Sequence, residues 1–260
     1  MKKPFYFLII SFFLLSCVKN NDIVLSKIDR HLMSISMSSD SLYGVIHNSC
    51  LESITFHEDF PLIDSNNSRE YLAQFMQDQY NITVNQYFCL FNDTISNFKE
   101  MGIEMYNNNL VSVYFIDFYD TLDSIKDNSK DLVDFDNDIV FLLNNIYSEI
   151  QLNDFEKHLL STSILLYRSS AVYWYLEASN PHSLWCIYAD NFPKFKDYLY
   201  SKRAFSVSQI ALADAIQYVS SYQYHFQEAG CDPLKYSDCY IHCSEVSAYE
   251  SAIASIRALF

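Results

Sequence analysis

Three glycines, Gly44, Gly102 and Gly230, serve a chain of 260 residues, and no other feature narrows its folding options as much. Tight hairpins draw on glycine for backbone conformations with positive φ, so a turn-rich β architecture is disfavoured and helices are favoured. Asparagine is common and can take some of those positions. The glycines are also too far apart to build a phosphate-cradling loop of the Walker or dinucleotide kind. Hydrophobic residues make up 50% of the chain, with 20 Phe and 21 Tyr, which is enough to fill a core and excludes a disordered polymer. The formal charge of −15 excludes a nucleic-acid surface, which needs concentrated Lys and Arg, but leaves room for acidic patches that bind cations or basic partners.

The first residues, MKKPFYFLIISFFLLSC, place Lys2 and Lys3 before an apolar run from Phe5 to Leu15, then Ser16 and Cys17. That run is too short to span a bilayer and has the layout of a secretory signal. Its ending LLSC resembles the lipobox of bacterial lipoproteins, in which the cysteine is acylated and becomes the first residue after cleavage. Leu15 stands where a smaller residue is commoner. The tract VKNND resembles the segment after the cysteine in exported lipoproteins of Bacteroidetes, although Asp22 is its only acid. The resemblance implies a signal peptide over 1–16, a lipidated tether over 17–22 and anchoring at the outer membrane, with the periplasmic or surface face left open. Residues 1–16 contain no acid, so removing Lys2 and Lys3 leaves 15 basic against 32 acidic side chains, a charge of −17. The resemblance does not extend to the folded part.

For residues 23–260 the apolar spacing predicts a mainly α, irregular helical domain with a few short strands allowed in the N-terminal half. Helices are expected over Ile23–Met37, Ser68–Gln79, Ile95–Tyr106 and Asp138–Ile150. A long one should start at the capping box Asn153 and Glu156 and run through Glu177; two more cover Ser206–Gln227 and Ser244–Leu259. LYGVIH and SITF, between 42 and 56, can be two short strands or irregular packing, ITVNQYFCLF at 82–91 is balanced between strand and helix, and LVSVYFIDFYDTL at 110–122 can begin as a strand and pass into helix. Eight aspartates between 117 and 138 read as a solvated acidic connector and the one defensible subdomain boundary, near 123–138. Asp134, Asp136 and Asp138 start like a calcium loop, but Ile139 and Asn145 occupy the positions that need Gly and Glu.

Candidate chemistry is sparse. In an oxidising compartment Cys231, Cys239 and Cys243 suggest a disulfide, Cys231 with Cys239 locally and Cys243 with Cys186 or another distant cysteine. The alternative, C-x-x-H-C zinc ligation through Cys239, His242 and Cys243, lacks a second pair. No metal or cofactor is expected. Arg168 lies within the most apolar helix and needs a carboxylate or a polar cavity, whether as a snorkelling side chain, a structural ion pair or a contact to a ligand carboxylate or phosphate. Tyr173, Trp174 and Tyr175 exceed what one helical face buries and are candidates for a recognition surface. Glu149, Glu156, Glu177, Asp190 and Asp214 are candidate acids, with nothing in their spacing to select a pair. The leading expectation is a lipid-anchored cell-envelope protein with a noncatalytic binding, assembly or protective role, contacting the membrane through its lipid and a protein through its surface, and no nucleic acid. An envelope hydrolase with paired carboxylates and an immunity lipoprotein that captures a toxin are the alternatives, so enzymatic activity stays open with the lean against it.

Overall fold

The computed structural model describes residues 42–58, 60, 62, 67–84, 95–201, 208–228 and 238–260. In chain order these form α1 (Leu42–Thr55), α2 (Asn67–Tyr80), α3 (Phe98–Asn107), α4 (Val113–Asn128), α5 (Leu132–Ser148), α6 (Asp154–Ser179), the short α7 (Leu184–Ile187), a 3₁₀ turn (Ala189–Asn191), α8 (Pro193–Leu199), α9 (Ser208–Glu228) and α10 (Asp238–Ala258). Among the described residues there is no β-sheet; the architecture is an irregular multi-helix bundle.

Four helices close a ring. α6 packs against α1 and α9, and α10 packs against the same two from the other side. Small side chains let these helices approach: α10 buries Ser244, Ser247, Ala248, Ser251, Ala252 and Ser255, spaced three or four apart. Two of the buried hydroxyls fold back on their own helix, Ser247 donating to the Cys243 carbonyl at 2.6 Å and Ser251 to that of Ala248 at 2.8 Å. A second layer forms on the far side of α6, where α5 and α4 pack against it and α3 packs on α4 and touches α9.

The expected strands are helical. LYGVIH and SITF belong to the continuous α1, which buries Tyr43, Ile46, His47, Cys50, Leu51 and Ile54, a spacing of three and four that no strand produces. In LVSVYFIDFYDTL the helix starts at Val113 after Ser112, and Phe115, Tyr119 and Leu122 form its inner face. Residues 82–84 have no regular structure, and the rest of ITVNQYFCLF, like the expected helix Ile23–Met37, lies outside the described residues.

The acidic stretch is two helices joined by a short link, and several of its aspartates hold the structure. Asp123 accepts from the backbone N–H groups of Phe98 at 3.2 Å and Lys99 at 2.9 Å, capping α3 from α4. Asp131 caps α5 by accepting from Val133 and Asp134. The capping box at Asn153 is present, and Glu156 also accepts from the Ser112 N–H at 2.5 Å, so one buried carboxylate serves the starts of both α6 and α4. Asparagine takes the left-handed positions after α2 and α3, Asn81 at φ 55° and Asn109 at φ 57°. The Ile82 N–H then reaches back to the Met76 carbonyl at 3.2 Å, closing α2 as a glycine would.

Gly44 marks the closest approach of α1 to α6. A Cβ there would lie 2.7 Å from Ser169 Cβ and 3.5 Å from the Leu165 carbonyl oxygen. Gly102 is looser, its Cβ meeting Tyr119 Cδ2 at 3.3 Å. Gly44→Ala should therefore lose about 1–3 kcal/mol in urea denaturation, despite alanine's better helix propensity. Gly102→Ala should be close to neutral, since the ring can shift and the propensity gain of about 1 kcal/mol offsets the crowding.

Candidate functional site

A buried histidine–aspartate pair and two buried serines meet within the ring, drawing a side chain from each of its four helices. His47 of α1 and Asp214 of α9 are fully buried, with Nε2 and Oδ2 3.3 Å apart. Ser170 of α6 donates to the same Asp214 oxygen. Ser255 of α10 lies 3.4 Å from His47 Nε2 and accepts from the indole N–H of Trp174 at 3.3 Å. The other ring nitrogen, Nδ1, sits 2.9 Å from Asn48 Oδ1, and the Asn48 amide donates to the Ser169 carbonyl at 3.2 Å.

These are the residue types of a hydrolase triad in a different arrangement. A general-base histidine holds a carboxylate on one nitrogen and the nucleophile on the other. Here Nε2 faces both Asp214 and Ser255, Nδ1 is taken by Asn48, and Ser170 binds the carboxylate directly, so neither serine has a relay behind it. His47, Ser170, Asp214 and Ser255 are all buried. The constellation clamps four helices together. Two further pairs repeat the motif: Arg168 Nε donates to Asp136 Oδ1 at 2.6 Å between α6 and α5, and His225 Nε2 lies 3.2 Å from Glu250 Oε1 between α9 and α10.

Arg168 thus meets its carboxylate from within the protein. Trp174 is fully buried, stacked edge-on with Trp185 at 5.2 Å and packed on Phe195 at 5.6 Å. Tyr173 is also buried, its hydroxyl accepting from the Trp185 indole N–H at 2.9 Å. Tyr175 is half-exposed and is the part of this trio that reaches solvent. Asp190 is exposed and pairs with Lys196 at 2.6 Å, and Glu149 turns back to the Gln151 N–H at 2.9 Å. Glu177 is half-buried, and burial, aided by the charge of Glu52, raises its carboxyl above the usual range while a hydrogen bond with Ser183 lowers it.

The disulfide expectation is corrected. Cys50, Cys186 and Cys243 are free thiols, and no disulfide joins the described residues. Cys243 is buried on the inner face of α10, and Cys186 donates to the Glu177 carbonyl at 3.1 Å on another part of the fold. Cys186 and Cys243 are thus not joined to each other. Cys17 and Cys231 lie outside the described residues, as does the side chain of Cys239. His242 is exposed while Cys243 is buried, so this adjacent pair faces opposite ways and does not form half of a metal site.

The surface offers a groove between α1 and α2, lined by Ser49, Glu52, Ser53, Phe56, Tyr71, Phe75, Gln79 and Tyr80, with a volume of about 420 Å³. Tyr71 donates its hydroxyl to the Ser53 carbonyl at 2.9 Å, which fixes its ring, and Phe75 meets Tyr80 edge-on at 6.1 Å. Its rings lie at helical spacing in the sequence, but nothing in that spacing separates a groove wall from a core face. Comparison of the chain with protein-family models, curated proteins and solved structures finds no match.

Two outcomes follow from the buried groups. Asp214→Ala strands His47 and Ser170 without their shared acceptor and should cost about 3–5 kcal/mol in chemical denaturation. Burial raises the Cys243 thiol from 9.0 to about 11. The unfolded thiol loses its proton first, so the stability contributed by this group is intact below pH 9 and is lost as the pH rises toward about 11. A Cys243→Ala variant should show a flatter decline over that range, measured by urea midpoints at successive pH values.

Proposed function

We propose that this chain is a lipid-anchored protein of the bacterial cell envelope, held at the outer membrane through Cys17, whose helical domain acts by binding, assembly or protection. The anchor rests on the basic start, the short apolar run and the LLSC ending of the first 17 residues. Stable anchoring takes more than one acyl chain, which a diacylated cysteine supplies. The noncatalytic part of the reading is supported by one observation above all, the enclosed His47, Asp214, Ser170 and Ser255 cluster. The groups best suited to acid–base or nucleophilic work are sealed in the ring and bonded to each other in an order that serves packing. What the described surface offers instead is a shaped aromatic groove.

The reading is tested on the full chain expressed in a bacterium. Cys17→Ser should give an uncleaved precursor that takes up no labelled palmitate, and the native protein should fractionate with the outer membrane. Normal acylation of the variant would remove the anchor from the proposal. Affinity purification of the native protein in detergent should recover an envelope protein in fixed stoichiometry; hydrolysis of cell-wall polymer by the purified chain would support the paired-carboxylate alternative in its place.

A further inference from the structure

We propose that the groove between α1 and α2 is a binding site for an organic ammonium group. Among the described residues its walls carry four aromatic rings, those of Phe56, Tyr71, Phe75 and Tyr80, and one carboxylate, Glu52, with no Lys or Arg in the lining. An aromatic face is negative, and a cation over it gains about 0.5–1 kcal/mol at an exposed site and more once water is excluded. A carboxylate at the same place pairs the charge. An anion would meet Glu52 with no basic partner, in a chain whose formal charge is −15. A neutral apolar ligand would cover the rings and leave Glu52 to lose water without recompense.

The pattern of committed hydrogen bonds points the same way. Ser53 donates its hydroxyl to the Cys50 carbonyl at 2.8 Å and Tyr71 donates its own to the Ser53 carbonyl at 2.9 Å. Two of the hydroxyls in the wall are therefore spent inside the protein, and donors suited to an anion are few. The same bonds hold the Tyr71 ring in place before any ligand arrives, and His57 braces it edge-on at 4.5 Å. A preset ring wall lowers the ordering cost of binding. A volume of about 420 Å³ admits a trimethylammonium head or the end of a lysine side chain. Binding at this site does not require the lipid anchor.

A free amine and a lysine of a basic partner share this chemistry, and the test separates them. The purified protein is titrated at about pH 8 by calorimetry with choline, with its uncharged tert-butyl analogue 3,3-dimethylbutan-1-ol, and with N-acetyl-lysine amide. At least one of the two cations should saturate a single site with a dissociation constant on the order of millimolar or tighter. The uncharged analogue should bind roughly three- to tenfold more weakly, and Glu52→Gln should weaken the cation by a similar factor. Phe75→Leu should weaken it as well, with circular dichroism unchanged because both positions lie at the surface of their helices. Preference for choline assigns the site to a free amine, and preference for the lysine probe assigns it to a protein partner. Equal binding of the uncharged analogue, indifference to Glu52→Gln, or no saturable binding of either cation would overturn the proposal.

Discussion

The Asp214 carboxylate sits where four helices meet, and the ring is arranged around satisfying it. A buried polar group in an apolar interior is costly unless partners surround it, and here α1 supplies an imidazole, α6 a hydroxyl and α10 a second hydroxyl bonded to that imidazole. Sliding any one helix by a turn would break the set. One oxygen, Asp214 Oδ1, has no hydrogen-bond partner, so the cluster is not an efficient source of net stability. Its contribution is to register, because its members meet only when the four helices are aligned as they are. Gly44 fits the same logic, because the approach of α1 to α6 that it allows brings His47, one turn away, within reach of Asp214.

The helices themselves were legible in the sequence. Where a helix has one inner face, apolar spacing marks it in part: in α5 it picks out Leu143 and Ile146, but the helix begins at Leu132 and not at Asp138, and Phe135 lies in the stretch read as an acidic connector. The capping box at Asn153 and Glu156 was equally plain because both bonds are local. The misread strands share a cause. LYGVIH and SITF are rich in β-branched and aromatic residues, and their intrinsic preference for strands is small beside the gain from burying Tyr43, Ile46, Cys50 and Ile54 on one side. The acidic stretch misled for a related reason: a solvated aspartate and one that caps the neighbouring helix, as Asp123 does for α3, are the same letter.

The centre of the molecule was not legible. α6, α9 and α10 are buried on most sides and carry serines, so their sequences show no sharp division into apolar and polar faces. Ser170, Asp214 and Ser255 stand 44 and 41 residues apart, and only the closure of the ring brings them together. The aromatic run at Tyr173 and Trp174 posed the opposite problem. One helix face cannot bury it, but α7, the 3₁₀ turn and α8 fold back over it, adding Trp185, Phe192 and Phe195 as a collar. The signal that could have revealed this is the spacing of Trp185, Phe192 and Phe195 after the chain reversal at Asn180 and Pro181, which returns one aromatic stretch onto another.

Once the buried acids are assigned, the remaining charge becomes interpretable. Glu156, Asp136, Asp214 and Glu250 are committed to caps and internal pairs, whereas Asp117, Asp120, Asp127, Asp134 and Asp138 lie exposed on α4 and α5. These outer acids contribute little to stability individually, since exposed pairs such as Lys99 with Asp120 are weak. Their collective effect is a negative field along these helices. In such a field a cation is drawn to the protein generally, but few sites can retain it. Retention needs a wall of rings, a carboxylate and no competing basic group, and the groove beside Glu52 combines all three.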